Sequence, residues 1–188
     1  MPRGRRVNSS GEKSKQLLLE KSIELFSAKG YHQTKISDIV KAANLTQPTF
    51  YLYFQSKSAL FNDLNQQFQH EIKEIFSKTQ HNNAEVNLTY IFEYFFENPE
   101  LTKIGLYESE QALEVKELLL TEIKHTLQQQ YTDFEPLQNV NVNIVAESLL
   151  GSIERLTLTT LLANKTTPER LASDLLNIYF AEQRKLVR

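Results

Sequence analysis

The chain has 188 residues, of which 40% are hydrophobic and 23% charged, values ordinary for a globular protein of one compact unit or two small ones. It contains no cysteine, which excludes disulfide bonds, zinc-thiolate sites and cysteine nucleophiles. No stretch approaches the roughly 18 uninterrupted apolar residues of a membrane span. No apolar run follows the basic N-terminus as in a signal peptide, so the sequence indicates a cytoplasmic protein.

The net charge of -2 hides an uneven distribution along the chain. Residues 1–60 carry ten Lys or Arg and four Asp or Glu, whereas the remainder carries eleven and nineteen. A basic first third joined to an acidic body is typical of a nucleic-acid-binding head followed by a part with another task.

Residues 1–11 form a basic arm that we expect to be flexible without a partner. Its arginines Arg3, Arg5 and Arg6 are suited to phosphate contacts. The run Pro2-Arg3-Gly4-Arg5 also resembles the core of an AT-hook, which enters a narrow minor groove. A general basic arm and an AT-hook therefore both remain open for this segment.

Helical periodicity begins near Glu12 and predicts a first helix that ends at Gly30. A second helix is predicted over about 36–43, and Asn44 tolerates the left-handed turn that must follow it. A third helix is predicted over about 47–54, with Thr46 as its cap and Pro48 in its first turn. A fourth helix follows, with Ser56 as its cap and an apolar stripe formed by Leu60, Leu64, Phe68, Ile72 and Phe76.

The third predicted helix combines two apolar anchors with a polar face. Phe50 and Phe54 stand four residues apart, so they share one helix face and can pack into a core. Two short helices joined by a tight turn place the second one in the major groove of DNA. We infer that the third helix is such a recognition helix, and that it presents Gln47, Thr49, Tyr51 and Tyr53 to the DNA.

The residue types on this face divide into base readers and phosphate ligands. The Gln47 amide can pair with adenine N6 and N7, and Pro48 and the Thr49 methyl can pack on thymine methyl groups. Hydroxyl groups and cations near the start of a helix are suited to phosphates, which position the protein without reading sequence. The predicted backbone contacts are Thr34, Lys35, Ser37, Thr46, Tyr51, Tyr53 and Lys57. For Tyr51 and Tyr53 a half-buried rim position is the alternative, and for Lys57 a solvated lysine.

The rest of the chain also reads as helix, without strands, repeats or low-complexity segments. It is rich in aromatic residues around 90–96, which either form plain core or line a pocket for an apolar or aromatic effector. The polar groups of such a pocket would be Tyr90, Tyr94, Tyr107, Glu108 and Gln111.

The last two helices, about 140–164 and 168–186, are apolar on more faces than burial within one subunit requires. Ser148, Gly151 and Ser152 allow another helix to approach closely. Two such helices from each subunit form a four-helix bundle about a two-fold axis, so we predict a homodimer through them. An internal helical hairpin is the alternative.

The sequence gives little support to an enzyme. The four histidines share no metal-ligand spacing, and the acidic pairs near 108–117 are typical of solvated helix faces. No glycine-rich phosphate loop and no nucleophile elbow is present. We therefore expect no enzymatic activity, no metal and no cofactor.

Residues 14–62 resemble the N-terminal domain of the TetR family of bacterial repressors. The resemblance implies a homodimer that binds a palindromic operator in double-stranded DNA and is released when a small molecule occupies the body. It also places the predicted contacts from Thr34 to Lys57 at the DNA, except Lys35. Asn44, Val40 and Leu52 depart from the usual pattern of Gly, Ala and an aromatic or basic residue. The matching positions are Gly30-Tyr31, Thr34, Ile39, Ala43, Leu45, Thr46-Gln47-Pro48-Thr49-Phe50-Tyr51, Phe54, Lys57 and Leu60-Phe61.

The sequence thus predicts an all-α protein: a flexible arm over residues 1–11, a helix-turn-helix domain over 12–57, and a helical effector-binding and dimerisation domain over 58–188. The predicted function is that of a ligand-responsive transcriptional repressor. Two alternatives remain open: a small all-helical binding or carrier protein, and an effector-independent DNA-binding subunit of a larger assembly.

Overall fold

A computed structural model describes residues 9–79, 83–108, 112–130 and 140–186, and every regular element in these ranges is helical. The all-α prediction is therefore confirmed. The chain divides into two compact units, Met1–Gln66 and Gln67–Arg188. The predicted arm with Arg3, Arg5 and Arg6 lies outside the described residues.

The first unit contains three helices and the start of a fourth. The turn between α2 and α3 is made by Asn44, whose φ of +53° lies in the left-handed region, as its residue type predicts. Gly30 ends the first helix with a φ of +82°. The elements are α1 (Ser9–Lys29), α2 (Ile36–Ala42), α3 (Gln47–Tyr51) and α4 (Lys57–Thr79).

Aromatic rings hold α4 to the rest of the first unit. The Phe61 ring lies 5.4 Å from the ring of Phe26 and 4.6 Å from that of Tyr31. An ion pair of 2.9 Å joins Lys15 to Asp63. The first unit consequently extends into α4 as far as residue 66, beyond the predicted boundary at 57, because the first turns of α4 complete its core.

Among its described residues, the second unit contains the remainder of α4 and five further helices. Its elements are α5 (Ala84–Glu97), α6 (Pro99–Lys103), α7 (Ala112–Gln130), α8 (Val142–Leu156) and α9 (Pro168–Leu186). Ile104–Glu108 and Thr157–Leu161 are π-helical turns that follow α6 and α8. Helix α9 packs mainly on α5, and α7 mainly on α8.

Two local features shape this second core. Gly105 in the first π-helical turn lies directly against the Phe68 ring, where a side chain of any size would overlap the ring. Near the end of the chain, Phe180 interrupts α9 with non-helical angles (φ -136°, ψ 26°), so this helix is kinked. The Phe180 ring is nevertheless 1% exposed, which makes it part of the core.

Candidate functional sites

Helix α3 is shorter than predicted, because it ends at Tyr51 and not near residue 54. Its start follows the prediction: the Thr46 hydroxyl oxygen accepts a hydrogen bond of 3.3 Å from the Thr49 backbone N–H, and Pro48 lies in the first turn. The hydroxyl groups of Thr46 and Thr49 are also 2.9 Å apart. The helix is therefore fixed at its N-terminus by its own cap.

The two faces of α3 separate as the sequence predicts. Phe50 and Phe54 are 0% and 2% exposed and anchor the segment to the core. Tyr51 is 54% exposed and Leu52 78% exposed, so both side chains extend outward. Gln47, Pro48 and Thr46 are also exposed, whereas Thr49 and Tyr53 are half-buried.

The start of α2 presents two of the predicted phosphate ligands. Lys35 and Ser37 are exposed. The Asp38 carboxylate accepts hydrogen bonds from the Lys29 ammonium at 2.6 Å and from the Lys35 backbone N–H at 3.1 Å. The Lys29 bond is the main reason that the pKa of Asp38 lies below its usual value. This carboxylate therefore ties the N-terminus of α2 to α1.

Thr34 departs from the sequence prediction. Its side chain is 1% exposed, and its hydroxyl lies 2.9 Å from the carbonyl oxygen of Gly30 and 3.3 Å from that of Leu25. The Gly30 carbonyl directly follows the last residue of α1, where backbone acceptors have no partner within the helix. The Thr34 side chain thus closes the end of α1 and has no surface to offer to a phosphate.

Lys57 has partners that its sequence position does not reveal. Its ammonium donates to the backbone carbonyls of Tyr31 at 2.7 Å and Thr34 at 2.9 Å. The same nitrogen lies 4.1 Å from the centroid of the Tyr31 ring. Lys57 therefore connects the first residue of α4 to the turn between α1 and α2. The phosphate contact predicted for it stays a prediction.

The second unit contains a cavity of about 60 Å³. Its walls come from α4, α5, α7, α8 and α9, and most of the lining is apolar. Three polar residues, Asn87, Glu122 and Thr126, interrupt this lining. The described residues that line the cavity are Phe76, Ala84, Asn87, Leu88, Ile91, Leu119, Glu122, Ile123, Thr126, Leu127, Leu149, Ile153, Leu176 and Phe180.

Of the residues predicted for the effector pocket, none that the structure describes lines this cavity. Tyr90 is 48% exposed because α5 turns Ile91, Phe92 and Phe95 into the core instead. The Tyr94 hydroxyl is buried without a hydrogen-bond partner, and Tyr107 donates to the carbonyl of Glu154 at 2.6 Å.

The two remaining residues predicted for the pocket are Glu108 and Gln111. Glu108 is exposed, and Gln111 lies outside the described residues. The sequence contained one signal for the true lining. Glu122 and Thr126 stand four residues apart beside Ile123 and Leu127, so polar and apolar groups share one side of α7.

A capped recognition helix with a buried anchor and an exposed polar face defines the class of helix-turn-helix DNA-binding proteins. The sequence model of the family described as "Bacterial regulatory proteins, tetR family" matches residues 18–64. The HTH-type transcriptional regulator YdgC of Bacillus subtilis is 33% identical over 182 residues, which cover 92% of this chain and 93% of YdgC. The chain belongs to the TetR family of bacterial transcriptional regulators.

Solved structures agree with this assignment over nearly the whole length. A transcriptional regulator of the TerR/AcrR family from Aquifex aeolicus matches with a TM-score of 0.73 and 25% identity, covering 93% of this chain and 99% of its own. The regulator FadR from Bacillus subtilis, solved in complex with stearoyl-CoA, matches with a TM-score of 0.69 and 18% identity, covering 87% and 96%. At this identity the second match shows a common fold.

Within the described ranges, no helix is both long and apolar enough to cross a membrane. The same part of the chain contains no group of three or more histidine or acidic side chains arranged to hold a metal ion.

Proposed function

We propose that this regulator represses transcription by binding a palindromic operator as a homodimer, and that a small apolar effector in the cavity releases it. The DNA-binding part of this proposal rests on one observation. Phe50 and Phe54 anchor α3 and the residues after it in the core, while the other face of this segment is exposed. The effector part rests on the cavity in the second unit.

On the exposed face, Gln47 is the proposed reader of adenine, and Pro48 and Thr49 contact thymine methyl groups. Leu52 adds an apolar side chain that is 78% exposed and suited to the same methyl groups. Thr46, Tyr51 and Tyr53 on this segment and Lys35 and Ser37 at the start of α2 contact phosphates. The N-terminal arm, with Arg3, Arg5 and Arg6, contacts the adjacent backbone or minor groove.

Replacing Gln47 by alanine tests the base-reading role. The loss should be about 1–3 kcal/mol of binding free energy on the operator, with relaxed preference at one base pair and an unchanged salt slope. Fluorescence anisotropy with operator and scrambled duplexes gives both quantities. Gln66→Ala, which removes an equally exposed glutamine from α4, is the matched control. Equal losses of Gln47→Ala on both duplexes would contradict base reading.

The proposed dimer face runs along α8 and α9. Along α8 and the π-helical turn that follows it, the residues at i, i+4, i+7, i+11 and i+14 are all exposed and form one stripe. At the centre of this stripe a methyl group on Gly151 would meet no atom within 4 Å of its own subunit, so a second helix can approach. Tyr179 of α9 supports the face, since its hydroxyl lies 2.8 Å and 2.9 Å from those of Ser148 and Ser152. The stripe is formed by Ile144, Ser148, Gly151, Arg155 and Leu158.

Ile178→Glu tests this face, because Ile178 on α9 is 75% exposed in the single subunit. A carboxylate buried at a two-fold interface meets its own copy, so the dimer should dissociate at micromolar concentration. Leu113→Glu is the control, since Leu113 is 71% exposed on α7. Analytical ultracentrifugation separates the outcomes, and an Ile178→Glu protein that sediments as a dimer would refute this interface.

For the effector, the apolar lining favours a ligand with a hydrocarbon body. FadR, which shares the fold, was solved with stearoyl-CoA, a molecule with such a body. A ligand shifts the regulator only if it binds the DNA-incompetent state better. We propose that the ligand-bound dimer no longer fits its recognition helices to major grooves about 34–36 Å apart. Titrating apolar ligands into a preformed operator complex tests this directly.

A further inference from the structure

The residues that line the cavity of the second unit favour some ligand charges over others. Of the 14 described residues that line it, 11 are apolar, so a ligand with an apolar body fits it. The ionisable residue among these 14 is Glu122, and none of them is a lysine, arginine or histidine. The Glu122 carboxylate would repel an anionic head group.

The side-chain oxygen of Asn87 is a hydrogen-bond acceptor that no donor contacts among the described residues. It lines the cavity from α5, and its side-chain Oδ1 is buried with no partner among the described residues. Buried side-chain oxygens are nearly always hydrogen-bonded in folded proteins. A hydrogen-bond donor on a ligand in the cavity would satisfy this oxygen.

Glu122 and Thr126 are the polar residues that line the cavity from α7, where they stand four residues apart. Residues at this spacing lie on the same helix face. The structure shows no ion pair for Glu122 among the described residues, whereas Glu154 and Asp63 in the same chain are paired with lysines. A carboxylate acts only as an acceptor, so this side of the cavity also calls for a donor.

We propose that the effector is an apolar molecule whose head group donates hydrogen bonds, either a neutral alcohol or, best, a cationic amine, and not a carboxylate or another anion. This inference rests on the proposed function, since it names the ligand class of the same cavity. Asn87 and Glu122 are the residues that select the head group, and the apolar walls accept the hydrocarbon body.

The test compares four probes with the same six-carbon chain: n-hexylamine, 1-hexanol, methyl hexanoate and hexanoate. The chain length suits a cavity of about 60 Å³, because one water-sized group needs about 10–15 Å³. Isothermal titration calorimetry on the full chain measures each affinity. We expect hexylamine to bind most tightly, hexanol next, the ester more weakly, and hexanoate at least about tenfold more weakly than hexylamine.

Variants assign the preference to residues. Glu122→Gln should remove most of the advantage of hexylamine over hexanol, whereas Glu117→Gln, an exposed change on the same helix, should leave it intact. Asn87→Leu should weaken hexanol relative to the ester. Circular dichroism establishes that each variant is folded before its affinities are compared.

The outcomes separate this inference from the proposed function. Hexanoate binding as tightly as hexylamine, an unchanged preference in Glu122→Gln, or no binding of hexylamine would each overturn the head-group assignment. Anisotropy of a labelled operator complex is measured with the same probes. If hexylamine binds as expected but never changes DNA affinity, the ligand class stands and the effector role of the cavity fails.

Discussion

Replacing Lys57 by methionine distinguishes a positioning role of this residue from a phosphate contact. In the structure the ammonium makes two charge-assisted hydrogen bonds, of 2.7 Å and 2.9 Å, to the carbonyls of Tyr31 and Thr34. Hydrogen bonds to charged groups contribute about 1.5–3 kcal/mol each when desolvated. Two such bonds sum to about 3–6 kcal/mol. Both carbonyls lie in a turn that water can reach after the substitution, so we expect a total loss near the low end, about 3 kcal/mol. Methionine is a side chain of similar length without the charge, so it also removes the contact of the ammonium with the Tyr31 ring.

Two measurements on the full chain distinguish the roles. Urea unfolding gives the stability, and the dependence of operator affinity on salt gives the number of phosphate contacts. A lost phosphate contact reduces the slope by about 0.9 per site, or roughly 2 for a dimer. For Lys57→Met we expect lower stability, weaker binding and an unchanged slope.

Lys35→Met is the matched control, because Lys35 is exposed at the start of α2 and is a proposed phosphate ligand. It should reduce the slope and leave stability unchanged. If Lys57→Met instead keeps full stability and reduces the slope, the two internal hydrogen bonds contribute nothing to stability. The result would then support a phosphate contact by Lys57.

Two further predictions concern the second unit. Gly105→Ala should lower the free energy of unfolding by about 1–3 kcal/mol, because the new methyl group overlaps the Phe68 ring. Thermal unfolding checks this, and an unchanged melting temperature for Gly105→Ala would contradict the contact. Burial, together with nearby carboxylates, raises the pKa of Tyr94 and Tyr107 well above the usual value of about 10. Above about pH 10 the unfolded chain therefore releases these protons first, and stability falls as pH rises. A series of urea midpoints from pH 8 to about 11 should show the fall, and the double Tyr→Phe variant should show less of it.

The sequence predicted the structure best where a residue type has one characteristic role in local backbone geometry. Gly30 and Asn44 occupy left-handed positions, and Thr46 caps α3, because each of these functions depends on the residue and its immediate neighbours. Helical periodicity likewise predicted the buried face of α3. These features require no knowledge of distant contacts.

The errors arise from contacts between residues far apart in the chain. The Lys57 ammonium reaches carbonyls 26 and 23 positions earlier, and Thr34 is buried under α1, neither of which a local pattern can reveal. The described residues of the predicted pocket do not line the cavity for a related reason. The pocket prediction relied on the density of aromatic residues near Tyr94, whereas the cavity depends on how five helices leave space between them.

Helices α8 and α9 line the cavity with one face and form the proposed dimer face with another. This double use constrains how the effector specificity of the protein can change. Leu149 and Ile153 line the cavity, while Ser148 and Ser152, their immediate neighbours in sequence, contact Tyr179 on the proposed dimer face. A substitution that widens the cavity from α8 therefore also moves the backbone of the interface. The cavity-lining residues of α5 and α7 lie on helices that are not part of the proposed dimer face. Substitutions there can therefore change the cavity without directly changing a helix of the interface. Directed evolution toward a new inducer should consequently collect its tolerated changes on α5 and α7, and changes on α8 should appear together with compensating changes at the interface.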